Sequence, residues 1–215
     1  DTWHFKSGND SIPTLYTLNY GVRFSRWNFN GESIVSPRVS LSIVPSWNRN
    51  ITFRAATGLY YQAPFYKELR DTSTVNGITQ ATLNSKIKSQ RSIHFIGSMD
   101  YRFNVMNRPF KFTAEAYYKA MSNLVPYSIN NVQVVYYGEN RCSGHTMGID
   151  LNLFGEFVPG SDSWVTLSLM DTGMKLNGKS IPLPTDQKYA INMFFTDYFP
   201  GTTKWKMSMK LAFAD

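Results

Sequence analysis

His4, His94 and His145 are the only imidazoles in this 215-residue chain, and Cys142 is its only thiol. None of the histidines stands at metal-ligand spacing with another. A single cysteine supports neither a disulfide framework nor a Cys-based metal site, so no metal and no cofactor is expected. No Gly-x-Ser-x-Gly elbow is present. His94 and Asp100 share the face of one predicted strand, and that alone is no catalytic constellation. An enzyme is therefore not the expected function.

Two other groups of residues could bind. The first is a set of charges at alternate positions along predicted strands: Arg23, Arg38, Arg54, Asp100, Arg102, Lys111, Glu115, Lys119, Asp150 and Glu156. Such groups are almost never fully buried, and in rows they make sense on a wet surface. The second is a set of aromatics and hydrogen-bonding groups at strand exits and in long connections: Tyr60, Gln62, Phe65, Tyr66, Tyr136, Tyr137, Glu139, Asn140 and Arg141. Connections held by a rigid scaffold commonly carry binding; interface aromatics are the alternative for these positions. The formal charge is +7. The cations are dispersed along strands and no recognition helix or ribonucleoprotein motif accompanies them, which argues against nucleic acid.

The elements that must position these groups are strands. The stretch 51–62 puts Ile51, Phe53, Ala55, Leu59 and Tyr61 on one face and Thr52, Arg54, Ala56, Gly58 and Tyr60 on the other, because successive strand side chains alternate. Similar alternation predicts strands over 15–27, 38–46, 93–103, 110–121, 147–158 and 164–176. In a strand from 189 the apolar Tyr189, Ile191, Met193 and Phe195 oppose Lys188, Asn192 and Thr196. In the last strand Trp205, Met207, Met209, Leu211 and Phe213 oppose Lys204, Lys206, Ser208 and Lys210. Asn30-Gly31-Glu32 turns the chain in a connection of medium length, and tight turns are expected at Asn107-Arg108-Pro109 and at 158–162. The stretch 63–91 reads as a long loop with room for a short helix at 65–70 or 81–87. A mixed loop follows at 122–144, extended over 132–137, and a further one at 177–186.

Composition by itself fits a β-sandwich rich in Tyr and Phe. The connections point elsewhere. Short turns alternate with longer loops, as a meander threading a membrane requires, with tight turns on one side and long loops on the other. Several strands match the ~9–11 residues of a tilted transmembrane strand. The fold class is therefore all-β: an antiparallel transmembrane β-barrel meander of about ten strands, with the apolar face toward lipid and the charged face toward the lumen.

Several stretches resemble the TonB-dependent receptors, in particular their Bacteroidetes-type branch. They are Ser36-Pro37-Arg38 at a strand opening, the run from Arg54-Ala55-Ala56-Thr57-Gly58 through Leu59-Tyr60-Tyr61-Gln62-Ala63-Pro64-Phe65, and Tyr136-Tyr137-Gly138-Glu139-Asn140. Further on come Gly148-Ile149-Asp150, Glu156-Phe157-Val158-Pro159-Gly160, Pro184-Thr185-Asp186-Gln187 and Phe195-Thr196-Asp197-Tyr198-Phe199-Pro200-Gly201. The resemblance implies a sector of an outer-membrane barrel of about 22 strands, with residues 1–215 part of that one domain. No plug and no TonB-binding segment is recognisable in these residues. It further implies import of a nutrient such as a metal chelate, vitamin, glycan or peptide. The expected partners are outer-membrane lipid, a plug domain, TonB and a surface lipoprotein. Most of the lumenal charges would then face the plug, and the loop residues would meet the nutrient. The sequence also admits two rivals: a ten-stranded outer-membrane hydrolase and a soluble β-sandwich binding module.

Overall fold

Alternation of apolar and polar residues at a period of 2 builds nearly the whole molecule. A computed structural model describes residues 1–8, 12–75, 78–131, 133–176, 178–182 and 186–215. In chain order the elements are β1 (Thr2–Ser7), β2 (Thr14–Trp27), β3 (Glu32–Val44), β4 (Ile51–Gln62), α1 (Tyr66–Leu69), β5 (Arg70–Val75), β6 (Ile78–Leu83), β7 (Gln90–Val105) and β8 (Arg108–Leu124). They continue with β9 (Tyr127–Asn130), β10 (Gln133–Tyr136), β11 (Cys142–Val158), β12 (Ser161–Leu176), β13 (Lys179–Pro182), β14 (Tyr189–Tyr198) and β15 (Lys206–Ala214).

The large sheet runs β1-β2-β3-β4-β7-β8-β11-β12-β14-β15, with β13 added beside β12. Every pairing is antiparallel between path neighbours, so the sheet is a meander. β7, β8, β11 and β12 reach 16 or 17 residues, well past their predicted 11–13. Their extra length lies partly at the loop ends, where polar side chains hide the alternation.

Register keeps the two faces apart across the sheet. Phe53 pairs with Met99, Phe112 with Tyr101, and Leu151 with Ala114 on one face. Arg54 pairs with Ser98, Glu115 with Ser98, and Glu115 with Asp150 on the other. The apolar face is bare: Phe95, Ile149, Leu169, Phe195 and Met209 are all exposed. Only six buried hydrophobic residues occur among those described, and three of them, Leu69, Ile87 and Val125, sit in the loops. An uncovered apolar face this extensive is not the surface of a soluble monomer. At the tight-turn end of this face, aromatic rings follow one another from Tyr101 to Phe103 (5.2 Å), Phe110 (5.8 Å), Phe157 (5.1 Å) and Phe195 (6.5 Å). This is an interfacial aromatic belt.

Four expectations need correcting. The tight turn placed at 107–109 is centred on Met106 and Asn107, both at positive φ (51° and 61°). A two-residue hairpin of the primed type needs that conformation at both central positions, so Arg108 and Pro109 already belong to β8. The 63–91 stretch contains α1, within the expected 65–70 window, and then the β5–β6 hairpin. No helix forms over 81–87, because residues through Leu83 pair with Arg70 and its neighbours and Asn84 ends the hairpin. The 122–144 loop holds a second hairpin, β9–β10; Val132, predicted at the start of its extended part, lies outside the described residues. Lys188 was expected to oppose Tyr189. It precedes β14, and its ammonium instead meets Asp171 at 2.8 Å and Asp186 at 2.9 Å. Asp171 lies opposite Met147 on the apolar face. The two carboxylates hold the ammonium above the usual lysine range.

Candidate functional site: the charged face and the long loops

The charged face carries two groups of residues on neighbouring strands. Toward the tight turns, Asp100 is 1% exposed. Its Oδ2 receives Arg54 Nη1 at 2.7 Å and Lys111 Nζ at 3.2 Å, and its Oδ1 accepts from Thr113 Oγ1 at 2.9 Å. Each donor comes from a position that register brings beside Asp100: β4 on one side and β8 on the other. A buried carboxylate is tolerable only when its oxygens are satisfied in this way.

Toward the long loops, the face is arranged differently. Arg38 pairs with Gly58, Gly58 with His94, and His94 with Lys119, a single row over β3, β4, β7 and β8. The Tyr60 ring meets both Arg38 and His94. The guanidinium is 4.4 Å from the ring centroid, and the imidazole stacks on it at 4.2 Å with 24° between planes. Gly58 makes that possible, since a Cβ there would stand 3.0 Å from Tyr60 Cε2 and 3.1 Å from Arg38 Cγ.

Of the remaining charges on this face, Arg23 lies opposite Ser36 and Arg102 opposite Lys111. Glu115 and Asp150 stand directly opposite each other. Glu156 accepts from Gly160 N at 2.6 Å and so closes the β11–β12 turn. The His94–Asp100 pair forms no catalytic couple. They are six residues apart on one strand, ~20 Å at 3.3 Å per residue. Each is engaged elsewhere, His94 with Tyr60 and Asp100 with its three donors.

The loops form an ordered unit over the same end. Leu69, Ile87 and Val125 make its core, with Trp27 and Tyr136 packed against it. Side chains from distant segments staple it. Glu32 Oε2 accepts from Ser89 N (2.9 Å) and Ser89 Oγ (2.7 Å), and Asn30 donates to Ile87 O (2.9 Å). Asn140 Nδ2 donates to Lys88 O (2.9 Å) and Asn123 O (2.7 Å), while its Oδ1 accepts from Lys88 N (2.7 Å). Buried Glu68 accepts from Phe65 N (2.8 Å) and Gln90 Nε2 (2.9 Å).

The loop-side candidates therefore separate. Tyr60 and Gln62 are not loop residues: both lie in β4, with side chains by register on the charged face, Gln62 opposite Gln90. Tyr136 packs on the loop core and Asn140 ties the loops together. Glu139 and Arg141 pair with each other on the surface. Phe65, Tyr66 and Tyr137 are more than half exposed. Sequence reasoning passed over Asn30, Glu32, Glu68 and Asn84, which hold the loops. Their partners lie in other loops, so nothing local marks them.

A long meander with one bare apolar face, an aromatic belt and one charged face is the wall of an outer-membrane-type β-barrel. The model of the family described as TonB dependent receptor-like, beta-barrel matches residues 1–214, and the chain belongs to that family. It is thus an outer-membrane receptor barrel of the transport class found in Gram-negative bacteria. Such receptors work with a plug domain, with TonB and with a nutrient. No curated protein matches the chain significantly.

Proposed function

We propose that this chain is part of the wall and outer loops of a single barrel whose receptor imports a nutrient with energy delivered through TonB. The observation that carries this reading is the pairing of a two-faced membrane wall with an ordered loop unit that holds Phe65, Tyr66 and Tyr137 in solvent at its long-loop end. Those aromatics and Arg141 make first contact with the nutrient. Arg54, Lys111 and Asp100 belong to a closed cluster of the wall, and Glu115, Asp150 and Arg102 face the plug. The stretches Tyr136–Asn140 and Phe195–Gly201 favour the Bacteroidetes-type branch, in which a surface lipoprotein is the further partner.

Growth and uptake test the reading. Deleting the gene that encodes this chain should abolish growth on one class of nutrient among iron chelates, cobalamins, glycans and peptides, and a protonophore should stop that uptake. Unchanged growth on every class overturns it. The orientation of the wall is tested separately at adjacent residues of β11. Ile149→Arg should cost ~2–4 kcal/mol of stability in a bilayer, the range for a cation on the lipid face near mid-membrane. Asp150→Arg, opposite Glu115 in a wet lumen, should cost far less; equal costs overturn the orientation.

A further inference from the structure

The row Arg38–Gly58–His94–Lys119 carries two cations, and its charges are not closed into pairs among the described residues. Among the described residues, Arg38, Lys119 and nearby Arg23 take part in no ion pair, whereas Arg54 and Lys111 lower on the same face both do. Arg38 is also held in advance. Its guanidinium lies on the Tyr60 ring, on which His94 also stacks. Gly58 clears the space beneath the ring. A stacked guanidinium keeps its N–H donors along its edge, in the fork that matches an oxyanion. Because its rotamer freedom is already lost, less entropy is lost when an anion arrives. Lys119, at the other end of the row, sits 5.0 Å from the Tyr117 ring centroid and adds a second, mobile cation. Uncompensated cations in a cleft raise the local concentration of anions.

We infer that this row receives an oxyanion carried by the imported solute: a carboxylate, phosphate or sulfate group. The inference rests on the import reading and adds to it the charge class of the solute. Arg38 supplies the bidentate contact and Lys119 the second charge. Tyr60 and His94 are positioning residues that fix the guanidinium. The row lies at the long-loop end of the wall, so a solute released by the loops meets it on the way inward.

Phenylglyoxal labelling of Arg38 tests this in the complete receptor, in outer-membrane vesicles, with peptide mass spectrometry as the readout. Citrate, inorganic phosphate and sulfate are the protecting probes, and glucose is the neutral control. Arg38 should label readily. A probe at about twice its Kd should slow labelling roughly threefold, by simple occupancy, and glucose should not. Lys119→Gln should weaken protection while leaving Arg38 reactive. Tyr60→Ala should weaken it although both cations remain. Arg38 that is unreactive from the start is already capped, for instance by a plug carboxylate, and that overturns the inference. So does reactive Arg38 that oxyanions protect no better than glucose. Neither measurement depends on transport, so loss of the import reading and loss of this site are told apart.

Discussion

The two ends of the charged face on β4, β7 and β8 use the same residue types in opposite ways. Near the tight turns, one buried carboxylate gathers Arg54, Lys111 and Thr113 into a closed cluster. Near the long loops, Arg38 and Lys119 flank aromatic rings and, among the described residues, take part in no ion pair. A closed cluster has nothing left to offer a ligand, and its loss should show as instability. An open row contributes little to stability, and its loss should show as lost binding. The position of a charge on a strand face thus says less about its role than whether its partner is already in the wall.

Between the two ends, the larger effect on stability is expected in the closed cluster. Asp100→Ala leaves Arg54 and Lys111 facing each other without their shared acceptor. It should destabilise the folded barrel by ~1–3 kcal/mol, the usual range for a hydrogen-bond network to a charged group, measured by urea unfolding in detergent micelles. A change as small as that of Lys119→Gln would erase the distinction between the two ends. Next comes Asn140→Ala in the loop unit, which removes two hydrogen bonds to Lys88 that join two loops and a third, to Asn123 O, within its own connection. A local cost of ~1–2 kcal/mol, at about half to one kcal/mol for each of the two bonds between loops, should appear as faster amide exchange at Lys88 with the wall unchanged. Exchange spreading into β7 would mean that loops and wall unfold together. Lys119→Gln should then alter stability by less than about 0.5 kcal/mol, as for a surface change away from any packed feature. A larger loss would make the open row structural. The smallest effect is expected at the outer rim, for Lys188→Ala. Its ammonium is solvent-exposed between Asp171 and Asp186. Amide exchange at Thr172, whose N–H donates to Asp186 Oδ1 at 3.1 Å, should quicken without a change in the melting temperature.

Much of the wall was legible in the sequence. The period of 2 in β4, β8, β11 and β15 separates lipid-facing from lumenal residues without reference to any neighbour. The alternation of tight and long connections assigns the two ends of the barrel. The loops were much less legible. β5 and β6 are rich in Thr and Ser and carry no apolar period, so they read as coil; pairing with each other makes them strands. Tyr60 stands near a proline exit on the polar face of its predicted strand, where the sequence gives it no partner. Its neighbours Arg38 and His94 come from other strands, and only register brings them beside it. Lys188 followed the polar side of the pattern on paper, yet two carboxylates draw it to the outer face.

The sequence by itself determined that the chain makes long antiparallel strands with one apolar and one charged face, because that follows from side-chain alternation along a single segment. Only the tertiary structure decided which charges are closed into pairs and which stay open. It also decided which loop residues are staples and which reach solvent. Those outcomes depend on the register between strands far apart in the chain, which no local pattern encodes.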